Sequence, residues 1–307
     1  MIVVFGSINV DLTFRVDRQP APGETILCPR YLASPGGKGA NQAAAAARAG
    51  AATAMVGSIG RDGFAGLAVD TMRESGVDTK YIASVDTPTA CATICVDAAG
   101  ENAIVVASGA NLDTRASQVP DSQLGPETLL LMQMEVPPAE NWALLQRARD
   151  RGARTALNVA PAAPVPAAAL DALDFLFVNE IEGAAIATAS GLEPKPPEDL
   201  PRRLAERHGL TCVLTLGAAG AILHGPGGGY TIPTLNVNPT DTTGAGDTFV
   251  GYMAAGLDAG LSPVDAACRA SAAAAVACTK EGAQIGIPFA DEINSVVETL
   301  PAAESRH

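Results

Sequence analysis

Hydrophobic residues along the chain fall into two kinds of segment. Short, continuous apolar runs predict strands buried on both faces, and they cover residues 2–5, 53–59, 128–134, 154–158, 175–178 and 212–216. Longer segments between them have helical character, at 40–49, 64–74, 139–151, 180–189 and 201–207. Strands that alternate with helices predict a Rossmann-like α/β fold, a mostly parallel sheet with helices on both faces. Ligands of such sheets bind beyond the carboxyl ends of the strands, so the turns after strands are the candidate sites.

Two segments depart from this pattern. Residues 24–33 and 87–96 alternate like half-exposed strands, and a further apolar stretch at 104–107 follows an Asp-Ala-Ala-Gly turn. We interpret them as a small antiparallel β lid, inserted at about 11–33 and 87–107 into a single domain that spans 1–307. Two further segments are predicted surface loops, a Pro-rich one at 194–201 and a Gly-rich one at 225–229. The stretch 244–279 predicts two consecutive Ala-rich helices.

Composition and charge narrow the class of protein. The chain has 307 residues, of which 48% are hydrophobic and 17% are charged, enough for a large α/β domain with a buried core. The formal net charge of −13 argues against broad binding to nucleic acid or to anionic membranes. No apolar run is long enough to span a bilayer, and no signal peptide precedes the first strand. We therefore expect a soluble, cytoplasmic protein.

Cysteine and histidine give little support to metal or hydrolase chemistry. Cys91 and Cys95 face the same side of a predicted strand, but two ligands without a second pair make a poor zinc site. We expect all six cysteines to be free thiols in a reducing compartment. His208, His224 and His307 have no partner spacing and are expected at the surface, so a Ser-His-Asp hydrolase has no support.

The stretch 238–249 carries the strongest chemical signal in the chain. Gly244 and Gly246 stand immediately before an apolar helical run, where glycine costs conformational entropy. Two glycines there indicate that backbone N–H groups are presented to an anion at a helix N-terminus. Asp247 then falls in the first helical turn beside that anion. An anion hole beside a carboxylate is what phosphoryl transfer to an alcohol requires, with Asp247 as the base that takes the hydroxyl proton.

Two further turns suggest a ligand with hydroxyl groups. Asn9 and Asp11 follow the first strand, where an amide and a carboxylate suit hydroxyl recognition, although a simple turn cap remains an alternative. The loop Pro35-Gly-Gly-Lys-Gly-Ala-Asn41 opens a long alanine helix. It matches neither the Walker A loop nor the dinucleotide fingerprint, yet its three glycines imply a ligand close to the backbone.

Three more strand ends complete the set of candidate turns. Glu135 ends a buried strand before two prolines, where it either accepts from a ligand hydroxyl or caps the next helix. Asn179 and Glu182 follow another strand and could orient hydrated Mg²⁺, although acidic residues are also ordinary at helix starts. The turn from Thr215 to Gly220 is a second Gly-rich turn that suits a nucleotide.

Two motifs together resemble the signatures of a known family. Gly36-Gly-Lys-Gly-Ala-Asn41 and Asp241-Thr-Thr-Gly-Ala-Gly-Asp247 resemble those of the ribokinase-like (phosphofructokinase B) sugar kinases, and Asn179-x-x-Glu182 fits between them. The resemblance runs from Gly6 to about Pro288. It is greatest to the ribokinase branch, on Gly6-Ser-Ile-Asn-x-Asp11, Pro22-Gly-Glu24, Gln133-x-Glu135, Leu157-Asn-x-Ala-Pro161 and Lys280-x-Gly-Ala-Gln284.

The resemblance implies a ribokinase-like fold and an ATP-dependent kinase that phosphorylates the 5-hydroxyl of D-ribose, with Mg²⁺ and with K⁺ as activator. It implies that the sugar is held by Asn9, Asp11, Gly37, Lys38, Asn41 and Glu135. Catalysis is assigned to Asp247 with Gly244, Ala245 and Gly246. The ATP site is assigned to Asn179, Thr215, Leu216, Gly217, Ala218, Ala219, Gly220, Gly246 and Ser271. The monovalent cation is assigned to Asp241, Thr243, Ala277, Lys280, Gly282 and Gly286, and Mg²⁺ indirectly to Glu182. The lid is expected to cover the sugar and to form a homodimer contact.

Several functions stay open at this point. Val159 and Ser271 depart from the usual residues of ribokinases, so a kinase for deoxyribose, a nucleoside or a hexose is a near alternative. A sugar sensor without catalysis would not need Asp247, which argues against that class. A dinucleotide-dependent oxidoreductase is disfavoured by the missing fingerprint.

Overall fold

The computed structural model describes residues 1–193 and 196–306, so His307 and part of the Pro-rich loop 194–201 lie outside the described residues. The first strands in chain order are β1 (Ile2–Phe5), β2 (Asn9–Arg15), β3 (Tyr31–Gly36), β4 (Thr53–Gly60), β5 (Asp78–Val85), β6 (Ala90–Val96) and β7 (Asn102–Ala107). The later strands are β8 (Leu129–Met132), β9 (Arg154–Asn158), β10 (Phe175–Asn179), β11 (Thr211–Thr215), β12 (Ala221–Gly225), β13 (Gly228–Ile232) and β14 (Glu304–Arg306). The α-helices are α1 (Lys38–Arg48), α2 (Ala65–Glu74), α3 (Pro138–Asp150), α4 (Ala167–Leu170), α5 (Glu180–Ala189), α6 (Leu200–His208), α7 (Ala245–Asp258), α8 (Pro263–Ala277) and α9 (Ala290–Val297).

The large sheet has ten strands in the order β14-β13-β12-β11-β10-β9-β8-β1-β4-β5. The strands from β11 to β5 pair in parallel, and β12, β13 and β14 extend the sheet in antiparallel pairs. Because the parallel strands share one direction, their carboxyl ends meet at one edge, where the candidate turns lie. The predicted α/β fold with a mostly parallel sheet is confirmed.

Alternate residues of the central strands enter two separate cores. On β1, Ile2 and Val4 pack into one hydrophobic cluster, and Val3 and Phe5 pack into the other. Helices α1, α2, α7, α8 and α9 cover the first face, and α3, α4, α5 and α6 cover the second. Burial on both faces is why these strands have continuous apolar sequences.

The predicted lid corresponds to a second, four-stranded sheet in the order β3-β2-β6-β7. Its outer pairs are antiparallel as predicted, but the central pair of β2 with β6 is parallel. Residues 24–30 form no strand, because β3 begins only at Tyr31. Asn9 and Asp11 lie on β2 and not in a turn after β1. That the chain forms one domain with an inserted lid stays a prediction.

Helices α1 and α8 are rich in buried alanines, and both pack against α7. The buried alanines of α1 (Ala40, Ala43, Ala44, Ala45 and Ala46) are fully inaccessible. Opposite them, Gly251 of α7 lies so close to α1 that an added Cβ would stand 2.5 Å from the Ala45 Cβ and 2.5 Å from the Gln42 carbonyl oxygen. This close approach fixes the distance between the two helices that carry Asn41 and Asp247.

Three smaller expectations require comment. The Gly-rich stretch 225–229, predicted as a surface loop, contains the exposed tight turn of the hairpin that joins β12 to β13. The His208 side chain is only 3% exposed, with Nδ1 2.6 Å from Asp171 Oδ1, so its predicted surface position is wrong. The six cysteines are free thiols, as expected. Within 1–193 and 196–306, no helix combines the length and apolar character needed to cross a membrane.

Candidate active site

Asp247 lies in the first turn of α7, at the carboxyl edge of the large sheet. Gly244 caps this helix with a φ of 75°, a left-handed conformation that favours glycine, and an added Cβ would stand 3.0 Å from Ala283. Around Gly246, in contrast, an added Cβ would meet nothing within 4 Å. The backbone N–H of Ala245 donates to Thr242 O (3.2 Å), so this amide is already used within the loop. Among the described residues, the N–H groups of Gly246 and Asp247 have no acceptor and stand beside this open space.

The Asp247 carboxylate is held from two sides by residues of α1. Asn41 Nδ2 donates to Oδ2 (2.9 Å) and Gln42 Nε2 donates to Oδ1 (2.9 Å). Asp247 is 8% exposed, so these bonds form in a site that largely excludes water. The second polar atom of Asn41, Oδ1, is buried and has no partner in the described part of the chain. A buried acceptor without a donor is costly, so this atom is suited to a ligand hydroxyl.

The glycine loop lies directly against the first strand end. Gly37 has a φ of 91°, and an added Cβ would stand 2.8 Å from the Asn9 backbone nitrogen. Glu135 Oε2 accepts from Ser7 Oγ (2.5 Å) and from the Lys38 backbone N–H (3.1 Å). Asn9 is also fixed, because its Oδ1 accepts from Asn111 Nδ2 (2.7 Å). The predicted sugar residues Asn9, Gly37, Lys38 and Glu135 therefore form one wall.

The Lys38 ammonium of this wall interacts with four carboxylates, those of Asp11, Glu135, Glu182 and Asp247. Burial, followed by the carboxylates of Glu135 and Asp247, raises the pKa of Asp11 to about 6, although the Lys38 ammonium opposes this shift. The carboxylate of Asp247, with contributions from Glu135, Glu182 and Asp11, raises the pKa of Lys38 despite its burial. A protonated lysine thus stands among several carboxylates. Asp11 also packs against the Cα of Gly36, where any Cβ would overlap the carboxylate.

The predicted nucleotide residues lie at two adjacent strand ends and on α8. Asn179 and Thr215 are partners in the parallel pair of β10 and β11. Beyond Thr215, residues Gly217–Ala219 form a 3₁₀ turn that ends at Gly220 with a φ of 85°. An added Cβ at Gly220 would also stand 3.3 Å from Pro233, whose carbonyl oxygen accepts from Ser271 Oγ (2.6 Å). Ser271 and this turn are therefore linked through one residue.

Asn179 and Glu182 form a reciprocal capping box at the start of α5. The Glu182 N–H donates to Asn179 Oδ1 (2.9 Å), and the Asn179 N–H donates to Glu182 Oε2 (2.8 Å). Burial raises the pKa of Glu182, which is 8% exposed. Helix capping, the alternative role predicted for this pair, is thus present in the fold. It uses Glu182 Oε2 and leaves Oε1 available to a ligand or a hydrated ion.

The predicted cation residues form a loop pair beside α7. Asp241 accepts from the N–H groups of Thr243 (2.9 Å) and Gly282 (2.9 Å), which tie the two loops together. These hydrogen bonds outweigh the effect of burial and lower the pKa of Asp241. An added Cβ on Gly286 would stand 2.8 Å from Gly282 O and 3.3 Å from Ala277 O. The Lys280 side chain does not enter this loop pair, because its Nζ pairs with Glu292 (2.7 Å).

A comparison with protein-family models decides the class of the protein. The model of the pfkB family carbohydrate kinases matches residues 1–290. The chain belongs to this family.

Individual relatives share both the length and the fold of this pfkB kinase. Ribokinase from Haemophilus influenzae is 35% identical over 303 residues, which cover 97% of this chain and 98% of that protein. The structure of ribokinase from Thermotoga maritima has a TM-score of 0.90 at 31% identity and covers 97% of this chain and 99% of that chain. The structure of Arabidopsis thaliana ribokinase complexed with ribose and ATP has a TM-score of 0.86 at 28% identity, with 97% and 98% coverage.

The resemblance implies two metal ions, Mg²⁺ and K⁺, and the residues of this pfkB kinase suit each of them by a different kind of ligand. Across the described ranges, no group of three or more His, Cys, Asp or Glu side chains is arranged to hold a metal. Mg²⁺ commonly keeps its waters and needs only one or two carboxylates besides substrate phosphates, which Glu182 can serve. The concave space at Gly286, bordered by the carbonyl oxygens of Ala277 and Gly282, suits a monovalent cation and would be filled by any Cβ.

The sequence interpretation missed several polar residues of the site. Gln42, Gln133 and Asn158 are buried and hydrogen-bonded around Asp247, and Asn111 supports Asn9. A polar residue directly after Asn41 in an alanine-rich helix face was the available signal for Gln42. Its partners are 91 to 205 residues away in sequence, so no local pattern indicates them.

Proposed function

We propose that this protein is an ATP-dependent kinase that transfers the γ-phosphoryl group to the 5-hydroxyl of D-ribose, giving ribose 5-phosphate and ADP. The observation that carries the proposal concerns the Asn41 side chain: its Oδ1 is a buried acceptor without a partner among residues 1–193 and 196–306, and its Nδ2 holds the Asp247 carboxylate. A site built for hydroxyl groups thus lies directly against a base. The identities to ribokinases over nearly the whole chain support ribose as the acceptor.

The sugar is bound by the wall around the glycine loop. Asn41 Oδ1 and the carboxylates of Asp11 and Glu135 accept hydrogen bonds from sugar hydroxyls, because each has acceptor capacity left. The Lys38 ammonium and the side-chain amide of Asn9 donate to sugar oxygens, and Gly37 allows the sugar to approach the backbone. Binding of the sugar replaces water around groups that are already fixed by Ser7, Asn111 and the loop itself.

Asp247 and the start of α7 perform the transfer. Asp247 accepts the proton of the 5-hydroxyl as its oxygen forms a bond to the γ-phosphorus, and the bond to the β-phosphate oxygen breaks with its electron pair on ADP. The N–H groups of Gly246 and Asp247, together with Gly244 at the helix cap, meet the negative charge of the transferring group. Ala245 contributes its place in the loop and not a free amide, since its N–H bonds to Thr242.

The nucleotide is assigned to the turn 215–220, with Asn179, Gly246 and Ser271. Glu182 would orient Mg²⁺ through water, and the ion would supply positive charge that neutralises the phosphates. Asp241, Thr243, Ala277, Lys280, Gly282 and Gly286 would hold K⁺, mostly through backbone oxygens, and this ion would stabilise the loop that precedes α7.

We further propose a homodimer through the lid and a cytoplasmic location. All six residues of β7 are exposed, among them Ile104, Val105 and Val106, and β7 is an edge strand. Exposed apolar edge strands favour pairing with a second copy. The free thiols are typical of a reducing compartment.

The test is ADP release from MgATP with D-ribose, 2-deoxyribose, fructose or adenosine, with and without K⁺, for the wild type and for Asp247→Asn. We expect ribose-dependent turnover in the wild type and its loss by about 10²-fold or more in Asp247→Asn, with ATP binding retained. Activity only with another acceptor would reject ribose and keep the role of Asp247. Sugar binding without turnover in the wild type would favour a sensor, and undiminished turnover of Asp247→Asn would refute its assignment as base.

A further inference from the structure

Gln42 is a buried side chain that contacts the catalytic carboxylate and has no counterpart in the roles assigned above. It is fully inaccessible, and it lies on α1 directly after Asn41. Its Nε2 is 2.9 Å from Asp247 Oδ1 and 3.0 Å from Asn158 Oδ1. Its Oε1 accepts from Gln133 Nε2 (2.7 Å). These contacts join the carboxyl ends of β8 and β9 to the first turns of α1 and α7.

The side-chain amides of Asn158, Gln42 and Gln133 form a hydrogen-bonded series, and the orientation of each follows from the backbone carbonyl of Phe177. Asn158 Nδ2 faces the carbonyl oxygen of Phe177 (3.3 Å), which can only accept, so Asn158 must present Oδ1 to Gln42. Gln42 must then place its Nε2 between Asn158 Oδ1 and Asp247 Oδ1. The reversed amide would set an oxygen against two oxygens. The donor that faces Asp247 is therefore fixed by the sheet and does not depend on the ligand.

Close packing holds these three side-chain amides in position. Gly6 leaves room for Gln133, because a Cβ there would overlap Gln133 Oε1. Gly251 allows α7 to rest against the backbone of Gln42 itself. The Gln133 side chain and the α1 backbone at Gln42 are thus each held by a close contact with the backbone of a glycine. This matters because a shift of about 1 Å at a reacting group can cost 10²-fold in rate.

We infer that Gln42 is a positioning residue for Asp247: its side-chain amide, oriented by Asn158 and Gln133, holds Asp247 Oδ1 so that the carboxylate is aimed at the sugar hydroxyl. The inference rests on the proposed role of Asp247 as base. The Gln42 side chain hydrogen-bonds to Asn158, Asp247 and Gln133, and in the described part of the chain to no residue of the sugar wall, so its loss acts on the transfer step and not on sugar affinity.

The first test compares Gln42→Leu with the wild type in single-turnover phosphorylation of D-ribose, with KM values for ribose and MgATP. We expect the single-turnover rate constant to fall about 10- to 100-fold with little change in either KM. The matched control is Thr155→Val, which removes a buried hydroxyl from β9 that bonds to Ala172 O (3.0 Å) and Asp174, away from Asp247. The control is expected to lose stability and to keep the wild-type rate.

A second variant keeps the inference testable if Gln42→Leu does not fold. Gln42→Glu is almost the same size, but its carboxyl group can donate to Asp247 only while it is protonated. The ratio of the variant rate to the wild-type rate should therefore rise as the pH falls from 8 to 6. The other charged groups around this position (Asp11, Lys38, Glu135, Asp247 and Glu182) are present in both proteins, so the ratio compares the two against the same background.

The outcomes distinguish a failure of the positioning role from a failure of the proposed function. A wild-type rate in Gln42→Leu, a rate loss equal to that of Thr155→Val, or a pH-independent ratio for Gln42→Glu would each overturn the positioning role. If the wild type transfers phosphate only to another sugar, ribose is rejected and the same comparison is made with that sugar. If the wild type transfers phosphate to no acceptor, the proposed function and the positioning role fall together.

Discussion

Ionisation of the Asp11 carboxyl group is expected to destabilise the ligand-free protein at neutral pH. Its pKa is raised from the ordinary value of 3.8 to about 6, first by burial and then by the carboxylates of Glu135 and Asp247. Because the folded protein binds this proton more tightly than the unfolded chain, the free energy of unfolding falls as the pH rises between these two values. At about 1.4 kcal/mol per pKa unit, the resulting decrease in the free energy of unfolding approaches about 3 kcal/mol at pH 7. At pH 5 it is about half as large, since Asp11 is then mostly protonated in the folded state.

Asp11→Asn should therefore stabilise the free protein and weaken sugar binding. The amide imitates the neutral carboxyl group, so the gain should reach about 3 kcal/mol at pH 7 and about half of that at pH 5. For a chain of this size, that gain corresponds to roughly 5 °C or more in Tm. The KM for ribose should rise, because an amide offers fewer acceptor sites to hydroxyl groups than a carboxylate.

The assay is urea unfolding followed by the fluorescence of Trp142, the single tryptophan of the chain, at pH 5 and pH 7 without ligand. Asp62→Asn is the control of opposite sign. Although burial opposes it, hydrogen bonds from Thr89 and Phe64 lower the pKa of Asp62. Its contribution is present above the ordinary carboxyl pKa, so its loss should destabilise the protein at both pH values. An Asp11→Asn variant no more stable than the wild type at pH 7, or equally stabilised at pH 5 and pH 7, would refute the reasoning.

Two glycines give further tests. Gly251→Ala should destabilise the protein by about 1–3 kcal/mol in urea unfolding, because its Cβ would overlap Ala45 and the Gln42 carbonyl. The control Gly66→Ala, at an exposed position of α2, should stabilise the protein by up to about 1 kcal/mol. A neutral Gly251→Ala would contradict the close packing of α1 and α7. At the proposed cation site, Gly286→Ala should raise the K⁺ concentration needed for half-maximal activation about tenfold, because the added Cβ narrows the space between Ala277 O and Gly282 O. The control is Gly125→Ala, where an added Cβ meets nothing within 4 Å. An unchanged K⁺ titration of Gly286→Ala would contradict this location of the cation.

The sequence predicted those parts of the site that depend on local signals. Two glycines before an apolar run announced the start of α7 and the position of Asp247, and the continuous apolar runs announced the parallel strands. The same reasoning failed for Asn9 and Asp11, which were interpreted as part of a turn but lie on β2, because the β2 partner β6 lies about 80 residues further along the chain. It also failed for Gln42, whose hydrogen bonds reach Gln133 after β8 and Asp247 on α7. Local patterns identify the groups that act, and long-range packing identifies those that aim them.

The alanine surfaces of α1 and α8, which pack against α7, invert the usual sensitivity of a protein core to mutation. Most cores are damaged when atoms are removed, because a cavity remains. Here most buried side chains of α1 and α8 are already methyl groups, which lose no rotamer entropy on folding and have almost nothing left to remove. Damage comes instead from added atoms, since an extra methylene between α1 and α7 must push these two helices apart and thereby separate Asn41 from Asp247. Substitutions between α1 and α7 are therefore restricted by the proposed geometry of Asn41 and Asp247 as much as by stability. Larger apolar residues cannot accumulate there as neutral substitutions.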